Sequence, residues 1–300
     1  MDFEEIINQM KPDEMRTVAV AAPEDEIVLK ALIEAYRMGI AKPILCGDAK
    51  VMQNAAEKNG LDITPFEIVQ AESYEAAIKA VEQVREGKAD MLMKGSLQTA
   101  SLLKAVLDKE KGLRKGGILS HVGIVHSKAL KRQILLTDAA MVMYPDLKTK
   151  VKLIENAVKA AGSLGNTCPR VVPLAAVEVV NPDMPATIDA ASLTVMNQRG
   201  QIKGCIIDGP LAMDLALDVS AAEHKKIHSP GAGKADILLF HNIEAANSAL
   251  KVFTHTEDCL FGGVVMGASA PVIVASRSDS EKSKLYSIAC AAAVCGGTVC

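Results

Sequence analysis

The chain has 300 residues, 49% hydrophobic and 23% charged, which is the composition of a globular protein and excludes general disorder. This length predicts two domains. A net charge of −3 and an aromatic content of 3%, without tryptophan, offer neither the basic surface nor the stacking side chains of a nucleic-acid-binding protein. No apolar run approaches the ~20 residues of a membrane-spanning helix, so we expect no membrane partner.

Seven cysteines occur without CxxC spacing, and the acidic start, Met1-Asp-Phe-Glu-Glu, is unlike a signal peptide. We therefore expect reduced thiols that serve as small apolar residues, and a cytoplasmic protein.

Apolar runs alternate with helical patterns through the first half of the chain. The predicted strands are 17–22, 44–46, 66–69, 89–93 and 133–136, and the predicted helices are 23–38, 49–59, 74–86 and 97–107. This alternation predicts an α/β fold with a parallel sheet covered on both faces.

In the second half, apolar runs repeatedly stop at a polar cluster before a helix begins. The runs are 171–177, 204–207, 235–240, 264–266 and 272–275, and the helices are 186–197, 211–217, 243–253 and 281–295. We expect the last helix to pack against the first domain. The predicted domains are therefore 1–136 plus 267–300, and 137–266.

Ser276 and Arg277 lie between a predicted strand and the last helix, and Ser278 with Glu281 has the spacing of a capping box. Ligands bind at such strand ends in open α/β sheets, where free N–H groups and the helix dipole favour anions. An arginine at this position adds a fork that fits phosphate oxygens. The alternative is a solvated turn whose arginine pairs with a surface acid.

Four further polar residues have two interpretations each. Lys94 ends a buried strand and either points into the strand-end crevice or snorkels to water. Thr99 either caps the next helix or binds phosphate at its amino end. Ser120, next to His121, is either a satisfied core group or a substrate contact, and Asp208 is either a cap or a substrate contact.

The dinucleotide-binding motif GxGxxG, the zinc motif HExxH and the serine-hydrolase motif GxSxG are absent, and the six histidines lack metal-ligand spacing. The segment Gly231-Ala-Gly-Lys234 lacks the spacer and the hydroxyl residue of a P-loop. We expect neither a metal nor a bound cofactor.

Taken together, these residues resemble the phosphate acetyl/butyryltransferase family, in order along nearly the whole chain. The resemblance is carried by Lys94-Gly95 with Thr99, Ser120-His121-Val122, Thr137-Asp138-Ala-Ala, Val177-Glu-Val-Val-Asn181-Pro182, Met184-Pro-Ala-Thr187 with Asp189, Arg199-Gly-Gln-Ile202, Asp208-Gly-Pro-Leu211 with Asp214, and Ser276-Arg277-Ser-Asp279 with Lys284-Leu-Tyr-Ser-Ile288.

The resemblance implies a two-domain fold like that of isocitrate and isopropylmalate dehydrogenases, with parallel or mixed sheets and an active site in the interdomain cleft. It also implies a homodimer or a multiple of dimers. The implied reaction moves a short acyl group, butyryl favoured and acetyl possible, between coenzyme A and inorganic phosphate. The partners are then acyl-CoA, phosphate and acyl phosphate, with coenzyme A as substrate. The implied catalytic residues are Ser276, Arg277 and Asp279, and the substrate-binding residues are Lys94, Thr99, Ser120 and Asp208.

The chain departs from the family at three places. Ser283 stands where the acetyltransferases have an aspartate implicated in thiol activation, so Asp279 or another group must take that role. Ala246 replaces a usual glycine, and His241 replaces a common proline.

Other functions remain open. A non-catalytic sensor of coenzyme A or phosphate is favoured by Ser283, and a longer-chain acyl-phosphate transferase shares the architecture. A decarboxylating dehydrogenase is disfavoured because its metal-binding aspartate cluster is missing.

Overall fold

The computed structural model describes residues 3–8, 15–72, 74–256 and 259–296. Its strands are β1 (Arg16–Ala21), β2 (Ala41–Gly47), β3 (Glu67–Gln70), β4 (Met91–Lys94), β5 (Ser120–Ser127), β6 (Arg132–Thr137), β7 (Arg170–Pro173), β8 (Ile206–Ile207), β9 (Ile237–Leu239), β10 (Leu260–Met266) and β11 (Val272–Ile273). Its helices are α1 (Phe3–Asn8), α2 (Glu26–Arg37), α3 (Ala49–Lys58), α4 (Ala76–Arg85), α5 (Thr99–Val106), α6 (Leu147–Ser163), α7 (Pro185–Gln198), α8 (Met213–Leu217), α9 (Val219–His224), α10 (Ile243–Thr256) and α11 (Glu281–Gly296). The fold is therefore α/β.

The described residues form two compact units. The first unit contains residues up to Gly117 together with those from Leu260 onward, and the second unit is Ile118–Cys259. The β5–β6 hairpin falls in the second unit because β6 pairs with β9, Leu135 opposite Ile237. The domain limits from the sequence, 1–136 plus 267–300 and 137–266, differ from this division and stay a prediction.

In the first unit the strand order is β3-β2-β1-β4-β11-β10. Strands β3, β2, β1, β4 and β11 run parallel, and β10 is antiparallel to β11. The central strands are apolar and buried, as expected for strands covered on both faces. Helix α11 is buried from Lys284 to Ala292, which makes it part of the core of this unit.

In the second unit the strand order is β5-β6-β9-β7-β8. Strand β5 is antiparallel to β6, and the remaining pairs are parallel. The sheet structure is thus mixed, which lies within the parallel or mixed sheets that the resemblance implies, although the alternation of strands and helices alone predicts a parallel sheet. Among the described helices, none combines the length and the apolarity needed to cross a bilayer.

The predicted elements are confirmed in order, with differences at some ends. Strand β7 stops at Pro173, earlier than the predicted 171–177, while β10 begins at Leu260, before the predicted 264–266. Gly262 and Gly263 obscure the start of β10 because glycine has low strand propensity.

Three helices, α1, α6 and α9, are absent from the sequence-based assignment. Helix α6 nevertheless carries clear signals: the Asp146 side chain accepts a hydrogen bond from Thr149 N at 2.7 Å, and buried Leu153, Ile154 and Ala157 recur at helical spacing. It lies between the predicted strands 133–136 and 171–177, where the sequence analysis assigned no element.

The main chain after β4 passes very close to the end of β1. Gly95 N donates to Ala21 O at 2.8 Å and Ser96 N donates to Ala22 O at 2.6 Å. Ala22 has a φ of 55°, in the left-handed region that costs an L-residue free energy. A Cβ added at Gly95 would lie 2.1 Å from Ala22 O, so only glycine fits there.

We expect the substitution Gly95→Ala to destabilise the protein by several kcal/mol, in the range of severe core overpacking, roughly 3 kcal/mol or more. The matched control is Gly162→Ala in helix α6, where an added Cβ meets nothing within 4 Å. That variant should be neutral or gain about 0.5–1 kcal/mol, because alanine favours the helix. Urea unfolding of the two variants measures this, and equal stabilities would contradict the steric argument.

Candidate active site

The ends of β1, β4 and β11 define one edge of the sheet in the first unit. The three strands are parallel neighbours, so their carboxyl ends and the loops that follow them meet there. Lys94 ends β4, Thr99 begins α5 after the loop that follows β4, and the loop after β11 carries Ser276, Arg277 and Asp279. Five of the seven residues proposed from the sequence therefore lie in or next to two adjoining loops.

Lys94 is directed inward rather than to water. Its side chain is only 4% exposed, and Nζ donates to Gly95 O at 3.0 Å and to Leu97 O at 3.3 Å. Burial is the main cause that lowers the pKa of Lys94, and the neighbouring cations Arg277 and Lys284 lower it further. The snorkelling alternative is wrong for this lysine.

The residues from Ser276 to Asp279 form a hydrogen-bonded turn. Asp279 N donates to Ser276 O at 3.2 Å, Ser276 N donates to Asp279 Oδ2 at 2.7 Å, and the hydroxyls of Ser276 and Ser278 lie 2.9 Å apart. Arg277 Nη2 donates to Ser96 O at 3.1 Å. The turn is exposed, and its arginine is fixed to the loop that follows β4.

The capping box predicted for Ser278 and Glu281 is wrong. Helix α11 begins at Glu281, and it is Ser280 whose Oγ accepts the hydrogen bond from Ser283 N, at 3.2 Å. Ser278 and Ser280 are both possible caps in the sequence, but the Ser278 hydroxyl interacts with the Ser276 hydroxyl within the turn. Asp279 consequently lies before the helix rather than in its first turn.

Lys284 is a site residue that was not assigned from the sequence. Its side chain is 3% exposed, and Nζ donates to Ser276 O at 2.9 Å and to Asp279 O at 2.8 Å. Burial lowers the pKa of Lys284, while the carboxylates of Asp279 and Asp25 act in the opposite direction. The available signal was a lysine at the start of an otherwise apolar helix.

Charged side chains gather around Lys94 at this edge. Lys94 interacts electrostatically with Arg277, Lys284, Asp25 and Asp279, and Lys284 interacts with both of these carboxylates. Both carboxylates have structural partners, since Asp25 Oδ1 accepts from Val28 N at the start of α2 and Asp279 accepts from Ser276 N. The arrangement therefore suits an anion such as a phosphate.

Thr99 stands in the first turn of α5, where no side chain caps the helix. Its hydroxyl makes no hydrogen bond within the described part of the chain, so the capping alternative is not realised. The hydroxyl is half-exposed and free to donate to a ligand.

Ser120 and its neighbours lie in the second unit and are buried. Ser120 Oγ accepts from Asn156 Nδ2 at 2.7 Å. The Asp138 carboxylate accepts from the backbone N–H groups of His121, Ala140 and Met141 at 3.0, 2.8 and 2.9 Å, and the Thr137–Asp138 peptide is cis. Burial raises the pKa of Asp138 against the effect of these hydrogen bonds. Ser120 is thus a satisfied core group here, and its substrate contact stays a prediction.

Asp208, also in the second unit, anchors a loop. Its Oδ2 accepts from Ser229 Oγ at 2.5 Å and from Gly231 N at 2.7 Å. A Cβ at Gly231 would lie 2.9 Å from this oxygen. The close contact accounts for the glycine, and no nucleotide-binding P-loop is needed to explain it. A role of Asp208 in substrate binding stays a prediction.

Within the described ranges, no group of three or more His, Cys, Asp or Glu residues is arranged to hold a metal ion.

Comparison with known proteins decides the family. The family model described as "Phosphate acetyl/butaryl transferase" matches residues 2–78 and 73–292. The chain belongs to the phosphate acetyl/butyryltransferase family. It is 50% identical over 295 residues, 98% of each chain, to a phosphate butyryltransferase of Clostridium acetobutylicum. It is 39% identical to a phosphate acetyltransferase of Thermotoga maritima, over 97% of this chain and 99% of the relative.

The chain is also similar to a solved structure. A branched-chain phosphotransacylase from Enterococcus faecalis V583 superposes with a TM-score of 0.84 at 32% identity, covering 95% of this chain and all of the other. The family resemblance and the enzyme class read from the sequence, an acyltransferase, are confirmed.

His121 gives the second unit a specific dependence on pH. Its ring is buried, Nδ1 has no partner among the described residues, and burial lowers its pKa from 6.5 to about 4. The folded state keeps this histidine neutral, whereas the unfolded chain takes up a proton near pH 6.5. The contribution of His121 to the free energy of unfolding is therefore complete above pH 6.5 and is lost as the pH falls toward 4.

We expect His121→Phe to remove this part of the pH dependence. Between pH 7 and pH 4.5 the wild type should lose more stability than the variant, by about 2 kcal/mol and at most ~3 kcal/mol. Chemical unfolding at the two pH values measures the difference. Parallel pH curves for the two proteins would mean that His121 does not contribute it.

Proposed function

We propose that this protein transfers a short acyl group between coenzyme A and inorganic phosphate: acyl-CoA + phosphate ⇌ acyl phosphate + CoA. Butyryl is the favoured group, and acetyl is possible. One observation carries the proposal: in a chain of this family, Lys94 and Lys284 lie beside the exposed turn that presents Ser276 and Arg277. The positive charge of these three side chains attracts the anionic phosphoryl group that the reaction requires.

The turn and its cations have distinct roles in the proposed mechanism. The coenzyme A sulfur attacks the carbonyl carbon of the acyl phosphate, an oxyanion forms, and the phosphate leaves as the C–O bond breaks. Arg277 binds the phosphoryl oxygens with its planar fork, and Lys94 adds positive charge beside it. The hydroxyls of Ser276 and Thr99 donate to the developing negative charge.

The thiol of coenzyme A must lose a proton, and Asp279 is the proposed acceptor. One of its oxygens, Oδ2, is occupied by Ser276 N. Its Oδ1 accepts no hydrogen bond from the described residues and is available. Ser283, which replaces the aspartate of the acetyltransferases, is used in the cap of α11 through Ser280. This leaves Asp279 as the carboxylate of the turn.

The proposal extends to features that the resemblance implies. These are a two-domain architecture of the isocitrate and isopropylmalate dehydrogenase type, a homodimer or multiple of dimers, a cytoplasmic location, coenzyme A as substrate with no bound cofactor, and substrate contacts from Ser120 and Asp208. The compaction of the chain into two units supports the first of these.

A second candidate function is a non-catalytic sensor of coenzyme A or phosphate, favoured by the structural use of Ser283 in the helix cap. The discriminating assay follows phosphate-dependent release of free thiol from butyryl-CoA and, in parallel, from acetyl-CoA. An enzyme releases thiol only when phosphate is present. A sensor binds both ligands without turnover.

The lysine variant of Arg277 tests phosphate binding. Arg277→Lys keeps the charge but loses the bidentate fork, so the KM for phosphate should rise roughly 10- to 100-fold and kcat should fall. The matched control is Arg37→Lys at the end of α2. The Arg37 guanidinium is exposed and lies 3.9 Å from the Glu34 carboxylate. The control should retain wild-type kinetics, and wild-type kinetics in the Arg277 variant would refute the assignment.

The asparagine variant of Asp279 tests the base. An amide oxygen can still accept from Ser276 N, so the turn should persist while proton acceptance is lost. We expect a rate loss of about 10²–10⁴ at neutral pH. The loss should shrink toward pH 8.5, because free thiolate forms near its ordinary pKa of about 8.5.

Glu281→Gln is the control for this variant, since it removes a first-turn charge of α11 without touching the turn. A pH–rate profile and a melting curve are recorded for each protein. If Asp279→Asn shows only a lower melting temperature with unchanged turnover, Asp279 is a structural residue of the turn.

A further inference from the structure

Lys284 occupies a place that disfavours a cation in two ways. Its side chain is buried in the core of the first unit, and taking an ammonium group out of water costs free energy. It is also the fourth residue of α11, near the positive end of the helix dipole. An apolar side chain would fill this position at lower cost, so the structure indicates a specific use for the lysine.

The use follows from the partners of the ammonium group. Both are main-chain oxygens of the turn that carries the catalytic residues: Ser276 O at 2.9 Å and Asp279 O at 2.8 Å. The side chain points back toward the helix amino end, as helical side chains do, and thereby joins both ends of the turn to the rigid helix. Ser276 O also accepts from Asp279 N, so the lysine completes the closure of the turn.

The other side-chain hydrogen bonds that hold the turn lie among exposed groups. Ser276, Arg277 and Ser278 are exposed and bury no apolar side chain. From helix α11, the buried side chain of Lys284 donates hydrogen bonds to the turn. A segment with exposed hydrogen bonds and little buried area opens easily, and this anchor opposes that opening.

Comparison with Lys150 shows that this arrangement is not the general solution for a buried lysine here. Lys150, in α6, is as deeply buried but forms an ion pair with Asp189 at 2.5 Å. Lys284 forms no ion pair within 4.0 Å among the described residues, and its hydrogen-bond acceptors are carbonyl oxygens of the turn. The carboxylates of Asp279 and Asp25 therefore act on its charge only from beyond ion-pair distance, and it lies near the charge of Lys94.

We propose that Lys284 is a positioning residue for acyl transfer, which fixes the turn from Ser276 to Asp279 so that Arg277 and the Ser276 hydroxyl meet the phosphoryl group in reactive geometry. This rests on the proposed function. The lysine acts through the turn and does not itself touch the substrate. A displacement of about 1 Å in such a turn reduces the rate by about 10²-fold.

The test compares Lys284→Met, which fills the space without donors, with Lys284→Arg, which restores charge and donors. Lys282→Met is the matched control, because Lys282 lies two residues away on the same helix and is exposed. For each protein, kcat, the KM for phosphate, the KM for butyryl-CoA and the melting temperature are measured. Wild-type turnover is established first, and its absence would refute the proposed function rather than the role of Lys284.

In Lys284→Met we expect kcat to fall 10- to 100-fold and the KM for phosphate to rise, with little change in the KM for butyryl-CoA. Lys284→Arg should recover part of both losses, and Lys282→Met should match the wild type. If the Met variant does not fold, Lys284→Gln, which keeps two donors on a shorter side chain, is measured by the same criteria. A variant that folds with wild-type kinetics, or one that only melts earlier, overturns the proposal.

Discussion

The candidate site depends on a close approach between two stretches of main chain. Ser96 N reaches Ala22 O, and Gly95 leaves no side chain between them. This contact fixes the course of the loop after β4. It thereby sets the inward direction of Lys94 and places Ser96 O where Arg277 donates to it. The left-handed Ala22 shows that the fold accepts local backbone strain here to make the approach.

Buried charge is handled in two different ways in the two units. In the second unit, Lys150 is neutralised by Asp189, and its Nζ lies 2.9 Å from His241 Nδ1. Burial, and then the nearby lysine, lower the pKa of His241, which favours a neutral ring that can accept from the ammonium. His241 is therefore part of a half-buried polar network around Lys150. In the first unit the buried Lys94 and Lys284 are held by carbonyl oxygens instead, which leaves positive charge for an anionic ligand.

The turn from Ser276 to Asp279 is consequently held through its backbone. Lys94 and Lys284 each donate hydrogen bonds to main-chain carbonyl oxygens from the interior, whereas the side chains of Ser276 and Arg277 are exposed to solvent. Such preorganisation matters because a site that must rearrange loses much of its electrostatic stabilisation of the transition state. The family to which the chain belongs uses an anionic substrate, and the geometry of this edge is consistent with that requirement.

The sequence by itself determined the order of most elements, the α/β class and the family. The order and the class follow from local patterns: apolar runs of strand length, helical spacing, and polar residues where each run stops. The family follows from motifs that match in order along nearly the whole chain. It also placed Ser276 and Arg277 between a strand and a helix, because that junction is encoded within a dozen residues.

The tertiary structure decided what depends on distant residues. It moved the helix cap from Ser278 to Ser280, so that Asp279 belongs to the turn before the helix. It made Lys94 a buried donor rather than a snorkelling one, and it directs the Lys284 ammonium group to the carbonyl oxygens of the turn. The partner of Arg277, Ser96 O, lies 181 residues away in the chain, so no local pattern could reveal it. The hydrogen bonds of Ser120 with Asn156 and of Asp208 with Ser229 and Gly231 also join residues that are distant in the sequence, and only the folded chain brings such residues together.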